Sequence, residues 1–272
     1  MSNVFVRIFS SIIKILIISF IIVVIATSCF YFYARCNLYN IPVLMYHHIS
    51  PPDERKLVNV SPDTFSKQME FIKNNNYRVI TPYEYLDYVK GNKKIKEKNL
   101  VLITFDDGYQ DNFTYAYPVL KENDFPAVIF VVVNKIGKKG YLKISQINEM
   151  IKNDIYFGSH TLSEKYLPSL DVKEMKREII QSKIKLERIT DKPVHFFAYC
   201  TGGFNRDAQS ILKDSGYLAA FTTNRGFNRD RRNNDDIFAL RRIKITDRDN
   251  PFKLWVKLSG IYHIFHNVKE PF

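Results

Sequence analysis

Cysteine is scarce in this chain of 272 residues: Cys29, Cys36 and Cys200 are the three present. Their spacing fits neither a disulfide framework nor a zinc knuckle. A glycine-rich nucleotide fingerprint is missing, and so are internal repeats. Acidic residues are in deficit: 40 Lys and Arg face 28 Asp and Glu, a formal charge of +12. Such a surplus suits an anionic partner, whether a membrane surface, an acidic polymer or nucleic acid. The basic clusters Lys93–Lys98 and Arg229–Arg232 match no nucleic-acid motif, however. They read as solvated loops or helix faces, and no nucleic-acid partner is expected.

Charge is also absent from Ile15 to Tyr33, 19 residues rich in Ile, Val and Phe. That is enough to cross a hydrocarbon layer. Arg7 and Lys14 precede the run and Arg35 follows it, which favours a cytoplasmic N-terminus and an exported remainder. Ile25–Cys29 loosely resembles a lipoprotein processing site. The apolar Phe30–Tyr33 beyond it suits an interfacial aromatic belt better than a cleavage site. We expect residues 1–36 to be a cytoplasmic stub and uncleaved signal anchor in a bacterial membrane. Residues 37–272 then form one domain in the periplasm or cell exterior.

Beyond residue 36, short apolar runs alternate with amphipathic stretches. Strands are expected at Ile41–Tyr46, Arg78–Ile80, Val101–Phe105, Ala127–Val133, Ile155–His160, His195–Tyr199, Tyr217–Thr222 and Phe238–Ile245. Helices are expected to open at Ser61-Pro62 and at the capping box Thr81–Glu84, and to run over 111–123 (interrupted by Pro118), 145–152, 171–189 and 205–215. This alternation predicts a parallel α/β sheet, and without a nucleotide fingerprint a barrel is the better choice.

Val101–Gly108 carries the most chemistry. A buried apolar strand ends in Asp106, Asp107 and a glycine that permits a sharp turn. A plain loop turn is the competing interpretation, since Asp-Asp-Gly is common turn chemistry. Two other strand ends are polar: His160, and Tyr199 with Cys200–Gly203. In a parallel barrel such ends gather on one face. If 160–164 makes a helical turn, His160 and Glu164 project from one side. Asp, His and Glu would then form a three-ligand site for zinc or a similar divalent ion, with a position left for water. The second carboxylate would take the water's proton, and a backbone N–H near Tyr199 would face the oxyanion. Those parts hydrolyse an amide or ester.

These motifs resemble the polysaccharide deacetylases of carbohydrate esterase family 4, the NodB-like domains. Thr104–Gly108 matches the first motif, Ser159–Thr161 with Glu164 part of the second, and Phe197–Gly203 the third. Pro42–Ile49 resembles the subgroup acting on poly-N-acetylglucosamine. The resemblance spans about 41–245. It implies a distorted, incomplete (β/α) barrel of about seven strands and hydrolysis of N-acetyl groups from a polymeric amino sugar. It also implies Asp106 as general base, Asp107 and His160 as metal ligands, and the Tyr199 N–H as an oxyanion donor.

The chain departs from the family at two places. Glu164 stands where a second histidine is usual, which adds negative charge and would favour a harder metal than zinc. Cys200 replaces a proline. The usual general-acid histidine has no match around Leu240–Ile245; His47 is a candidate at the site mouth, with His263 and His266 behind it. His48 is expected to face away from His47, and His195 to be a packed or capping residue. Tyr109 flanks the sugar or packs at the rim, and Gly202 lines the substrate turn. Trp255 and the tail pack on the barrel or touch membrane. A second hypothesis keeps the fold but reads the protein as a glycan-binding scaffold with a degraded metal site. Phosphoryl transfer on an Asp nucleophile is disfavoured for lack of a phosphate-binding loop.

Overall fold

The computed structural model describes residues 2–37, 39–52, 58–223, 237–260 and 262. The chain forms two compact units, 1–39 and 40–272. The first is one helix, α1 (Ser2–Asn37). Arg7–Ala34 within it is long and apolar enough to cross a membrane, and the side chains of Arg7–Phe30 are exposed.

The second unit is built from ten strands and seven helices among the described residues. The strands are β1 (Val43–Tyr46), β2 (His48–Ile49), β3 (Asn59–Val60), β4 (Arg78–Val79), β5 (Leu100–Phe105), β6 (Ala127–Val131), β7 (Ile155–Ser159), β8 (Phe196–Ala198), β9 (Ala219–Phe221) and β10 (Ile243–Lys244). The helices are α2 (Pro62–Asn74), α3 (Pro82–Val89), α4 (Tyr117–Glu122), α5 (Ile144–Ile151), α6 (Val172–Thr190), α7 (Arg206–Asp214) and α8 (Pro251–Leu258). Seven strands pair in parallel in the order β10-β1-β5-β6-β7-β8-β9, with β4 added to β5. Leu240 bridges Phe221 of β9, and Ile243 and Lys244 pair with β1. One short segment therefore touches both ends of the curled sheet. Of the strand expected over 238–245, these contacts are what forms; the result is the distorted, incomplete barrel.

Alternation along the strands sorts two buried layers. Leu44, Tyr46, Val101, Ile103, Phe105, Ile129, Val131, Phe197 and Ile243 share a core with helix residues such as Phe65, Met69, Met175 and Ile179. The residues between them, including Met45, Leu102, Thr104, Val128, Phe130 and Phe221, are equally buried but lie outside that cluster, on the barrel's inner side. Every residue of β5 is buried, as expected where helices cover one face and the barrel interior the other. Each fully buried Leu, Ile or Phe contributes about 1.5–3 kcal/mol.

The helix starts follow the sequence. Ser61, Asp171 and Asn205 cap α2, α6 and α7 through side-chain oxygens that accept from the third residue on. At α3, Thr81 accepts from the Glu84 N–H, but the Glu84 carboxylate pairs with Arg78 and Lys93 instead of closing the capping box. The helix expected over 111–123 divides into a π-helical turn, Asn112–Ala116, and α4. Pro118, which has no N–H to donate, sits in the first turn of α4. The basic cluster Arg229–Arg232 lies outside the described residues.

Candidate active site

The inner phase of the strands converges at the barrel's C-terminal mouth. His47 follows β1, Asp106 follows β5 and His160 follows β7, each one step past an outer-facing residue. Asp106 is 1% exposed. Its two oxygens accept from Arg242 Nη1 at 2.6 Å and Nη2 at 2.7 Å. Arg242 is fully buried and adjoins the start of β10. Its Nε donates to the Thr222 carbonyl, and its guanidinium lies over the Phe130 ring at 5.4 Å. Gly158 opposite leaves room for that ring, since a Cβ there would lie 2.5 Å from it. Burial alone would raise the Asp106 pKa; Arg242, His160 and His47 outweigh it and hold the carboxyl below the ordinary range.

Sequence reasoning missed Arg242. The available signal was phase: Ile243 and Ile245 belong to the helix-facing core, so Arg242 alternates inward. A cation there needs a buried anion.

His47 lies 4.0 Å from Asp106, Nε2 to Oδ2. Its Nδ1 is buried with no hydrogen-bond partner. Burial lowers its pKa, partly opposed by Asp106 and Asp107. His48 turns elsewhere: its Nδ1 lies 2.6 Å from Asp111, and its ring stacks on Tyr109 at 3.5 Å. Tyr109 also packs against Tyr141. Its hydroxyl meets Asp107, and burial together with that carboxylate raises its pKa.

Asp107 and Gly108 both take left-handed conformations, with φ of 71° at each. The turn swings Asp107 toward His160, whose Nε2 lies 3.4 Å from Asp107 Oδ1. The other His160 nitrogen lies 2.8 Å from the Ala198 carbonyl. That contact fixes the ring and aims Nε2 at the carboxylate, as outer partners of metal-binding histidines do. The His160 pKa rises to about 10, because Cys200, Asp106 and Asp107 outweigh the lowering effect of burial. With Nδ1–H given to the Ala198 carbonyl, a neutral His160 turns its Nε2 lone pair toward the Asp107 carboxylate, an arrangement that a cation between them, a proton or a metal, would satisfy.

Glu164 is not brought into that pair. The helical turn expected over 160–164 does not form: Thr161 and Glu164 are left-handed, with φ of 68° and 64°. The buried Glu178 of α6 holds this loop, accepting from the Leu162 and Ser163 N–H groups at 2.9 and 2.8 Å. The Glu164 carboxylate pairs with Lys135. Among the described residues no group of three or more His, Cys, Asp or Glu side chains is arranged to hold a metal ion. Two donors, Asp107 and His160, fit one; the expected third is turned away.

The expectation for Tyr199 needs correcting. Its N–H donates to the Phe221 carbonyl at 2.9 Å, part of the β8–β9 pairing, and is not free for an oxyanion. Its side chain lies in the outer phase, where the hydroxyl donates to the Phe238 carbonyl at 2.8 Å. Gly202 is buried in the turn that follows, at φ 79°, and a Cβ there would lie 2.0 Å from Thr223 Oγ1. It shapes the turn. His195 pairs with the Tyr83 hydroxyl at 2.9 Å just before β8, at the end of the strand opposite the mouth. His263 and His266 lie outside the described residues.

Known proteins share this sequence pattern and fold. Residues 93–220 match the family model described as polysaccharide deacetylase. YxkH of Bacillus subtilis strain 168, whose name assigns it provisionally to the polysaccharide deacetylases, is 33% identical over 208 residues, 76% of this chain and 72% of its own. The poly-β-1,6-N-acetyl-D-glucosamine N-deacetylase of Staphylococcus aureus strain MSSA476 is 28% identical over 191 residues; the match spans 65% of each chain. Among solved structures, the Streptococcus pyogenes deacetylase PplD in complex with acetate superposes with a TM-score of 0.75 at 27% identity, covering 80% of this chain and 98% of that one. With the curled parallel sheet, the paired aspartates and the strand-end histidine in place, the chain belongs to the polysaccharide deacetylase family, the N-deacetylating hydrolases.

Proposed function

We propose that this protein removes N-acetyl groups from an extracytoplasmic amino-sugar polysaccharide, with a divalent metal ion held by Asp107 and His160. The observation that carries this reading is the placement of those two side chains 3.4 Å apart beside the Arg242-bound Asp106. When bound, the ion would polarise the acetyl carbonyl and acidify a water molecule. Two protein donors leave several positions for water and substrate, which suits an ion that keeps part of its hydration better than a closed zinc site. Arg242 keeps Asp106 ionised and oriented, so Asp106 accepts the attacking water's proton. His47 faces Asp106 across the mouth and, when protonated, is placed to donate to the departing amine. Tyr109, on the rim between His48 and Tyr141, offers the sugar a partly exposed ring. The apolar α1 anchors the domain to the membrane, and the +12 charge favours anionic surroundings.

The Glu164–Lys135 pair supports a second reading, a glycan-binding scaffold in which the third metal position has been lost. Incubating the full chain in detergent with N-acetylglucosamine oligomers and several divalent metals separates the two. New free amines on the sugar support the enzyme. Retained glycan binding, with no amine released under any metal, supports the scaffold.

A further inference from the structure

The outer face of α8 carries the chain's single tryptophan. Leu254 and Leu258 turn into the core. Phe252 and Trp255 stand on the solvent side, 70% and 38% exposed, and their rings stack at 6.2 Å. Lys253 and Arg248 beside them are exposed as well. Exposed large aromatics on a short amphipathic helix, with one basic residue among them and another just before it, match the composition of elements that lie in a membrane interface. The end of α8 also lies beside Asn40, the first residue of the second unit. Gly260, two residues after α8, accepts a hydrogen bond at 3.2 Å from the N–H of Asn40. Asn40 follows Ala34, the end of the candidate span, by six residues, at most about 20 Å of extended chain.

We propose that the Phe252–Trp255 face of α8 inserts into the headgroup boundary of an anionic bilayer, with Arg248 and Lys253 meeting lipid phosphates. This rests on the reading of α1 as a membrane span and is independent of the catalytic reading. The barrel then has a second membrane contact besides its covalent tether, which limits how far its mouth swings from the surface.

Trp255, as the only tryptophan, reports on this face alone. The full chain is reconstituted in nanodiscs of mixed phosphatidylglycerol and phosphatidylcholine, with and without brominated acyl chains. The expected result is blue-shifted Trp255 emission that bromination quenches. The quenching should weaken in discs of phosphatidylcholine alone, in Phe252→Ser and in Lys253→Glu. Phe252 is too exposed for its loss to unfold the core, and acetate release by Phe252→Ser from short soluble oligomers should equal that of wild type. Emission indifferent to bromination and open to aqueous iodide overturns the proposal. So does a shift produced by soluble N-acetylglucosamine oligomers without lipid quenching, which would assign the face to glycan. Chain that fails to co-purify with the discs removes the span and the proposal together, leaving acetate release as a separate result.

Discussion

Arg242 grips Asp106 with two charge-assisted hydrogen bonds, 2.6 and 2.7 Å long, inside a site where neither side chain is more than 1% exposed. The bidentate geometry fixes the carboxylate plane and keeps the group ionised. The pair is expensive to bury and more expensive to break. Arg242→Met should therefore destabilise the protein by about 3–5 kcal/mol, because it strands a buried carboxylate. Urea unfolding measures the loss. The double variant with Asp106→Leu should recover part of it, and no recovery would mean the pair is not the source.

His47 is held differently from His160. The Ala198 carbonyl fixes one nitrogen of His160, whereas a His47 nitrogen is buried without a partner. A group that moves a proton should matter for rate and little for fold. His47→Gln should lower kcat by about 10²–10⁴-fold with the melting temperature nearly unchanged. A kcat near wild type would remove His47 from the chemistry.

Glu164 tests how the metal position is built. Because its carboxylate pairs with Lys135, Glu164→Gln should leave divalent-metal affinity, measured by titration calorimetry, close to wild type. Asp107→Ala should weaken it by more than the about 10–100-fold typical of losing an outer partner. Equal losses in the two variants would place Glu164 among the ligands.

Gly158 supports Arg242 from below. An alanine there would place its Cβ 2.5 Å from the Phe130 ring and 2.8 Å from the Phe196 carbonyl. Gly158→Ala should cost about 1–3 kcal/mol through overpacking. It should also lower activity by tilting the ring beneath the guanidinium, a change visible in the near-ultraviolet circular dichroism. An unaltered melting curve would show that the barrel yields there freely.

Away from the site, Glu84 joins Arg78 to Lys93. Its hydrogen bond from Arg78 outweighs burial and lowers its pKa from 4.5 to about 2. A depressed folded-state pKa stabilises above the unfolded value and is lost as pH falls through the folded one. The pair is partly open to water, so its contribution is about 1 kcal/mol and falls with salt. The stability gap between wild type and Glu84→Gln should persist from neutral pH to about pH 4.5, then close toward pH 2. A gap constant across that range would assign it to packing.

The barrel was legible because strands buried on both faces read as unbroken apolar runs, as in Leu100–Phe105 and Ala127–Val131. Asp106, Asp107 and His160 were legible because polar residues closing such runs must come out at the mouth. What failed was local geometry. A helical turn would bring Glu164 to the site, but Glu178, 14 residues further on, holds that loop in another shape. The Tyr199 N–H is taken up by the β8–β9 pairing, which no local motif reveals. Arg242 sits 136 residues from its partner, a separation that no local pattern spans, though strand phase points it inward.

Acetate release tests the Asp107–His160 site most directly. The full chain, supplied with a divalent metal and N-acetylglucosamine oligomers, should release acetate, and Asp107→Ala, folded to the same melting temperature, should release none. Asp107→Ala that keeps wild-type release would contradict the site proposed for Asp107 and His160.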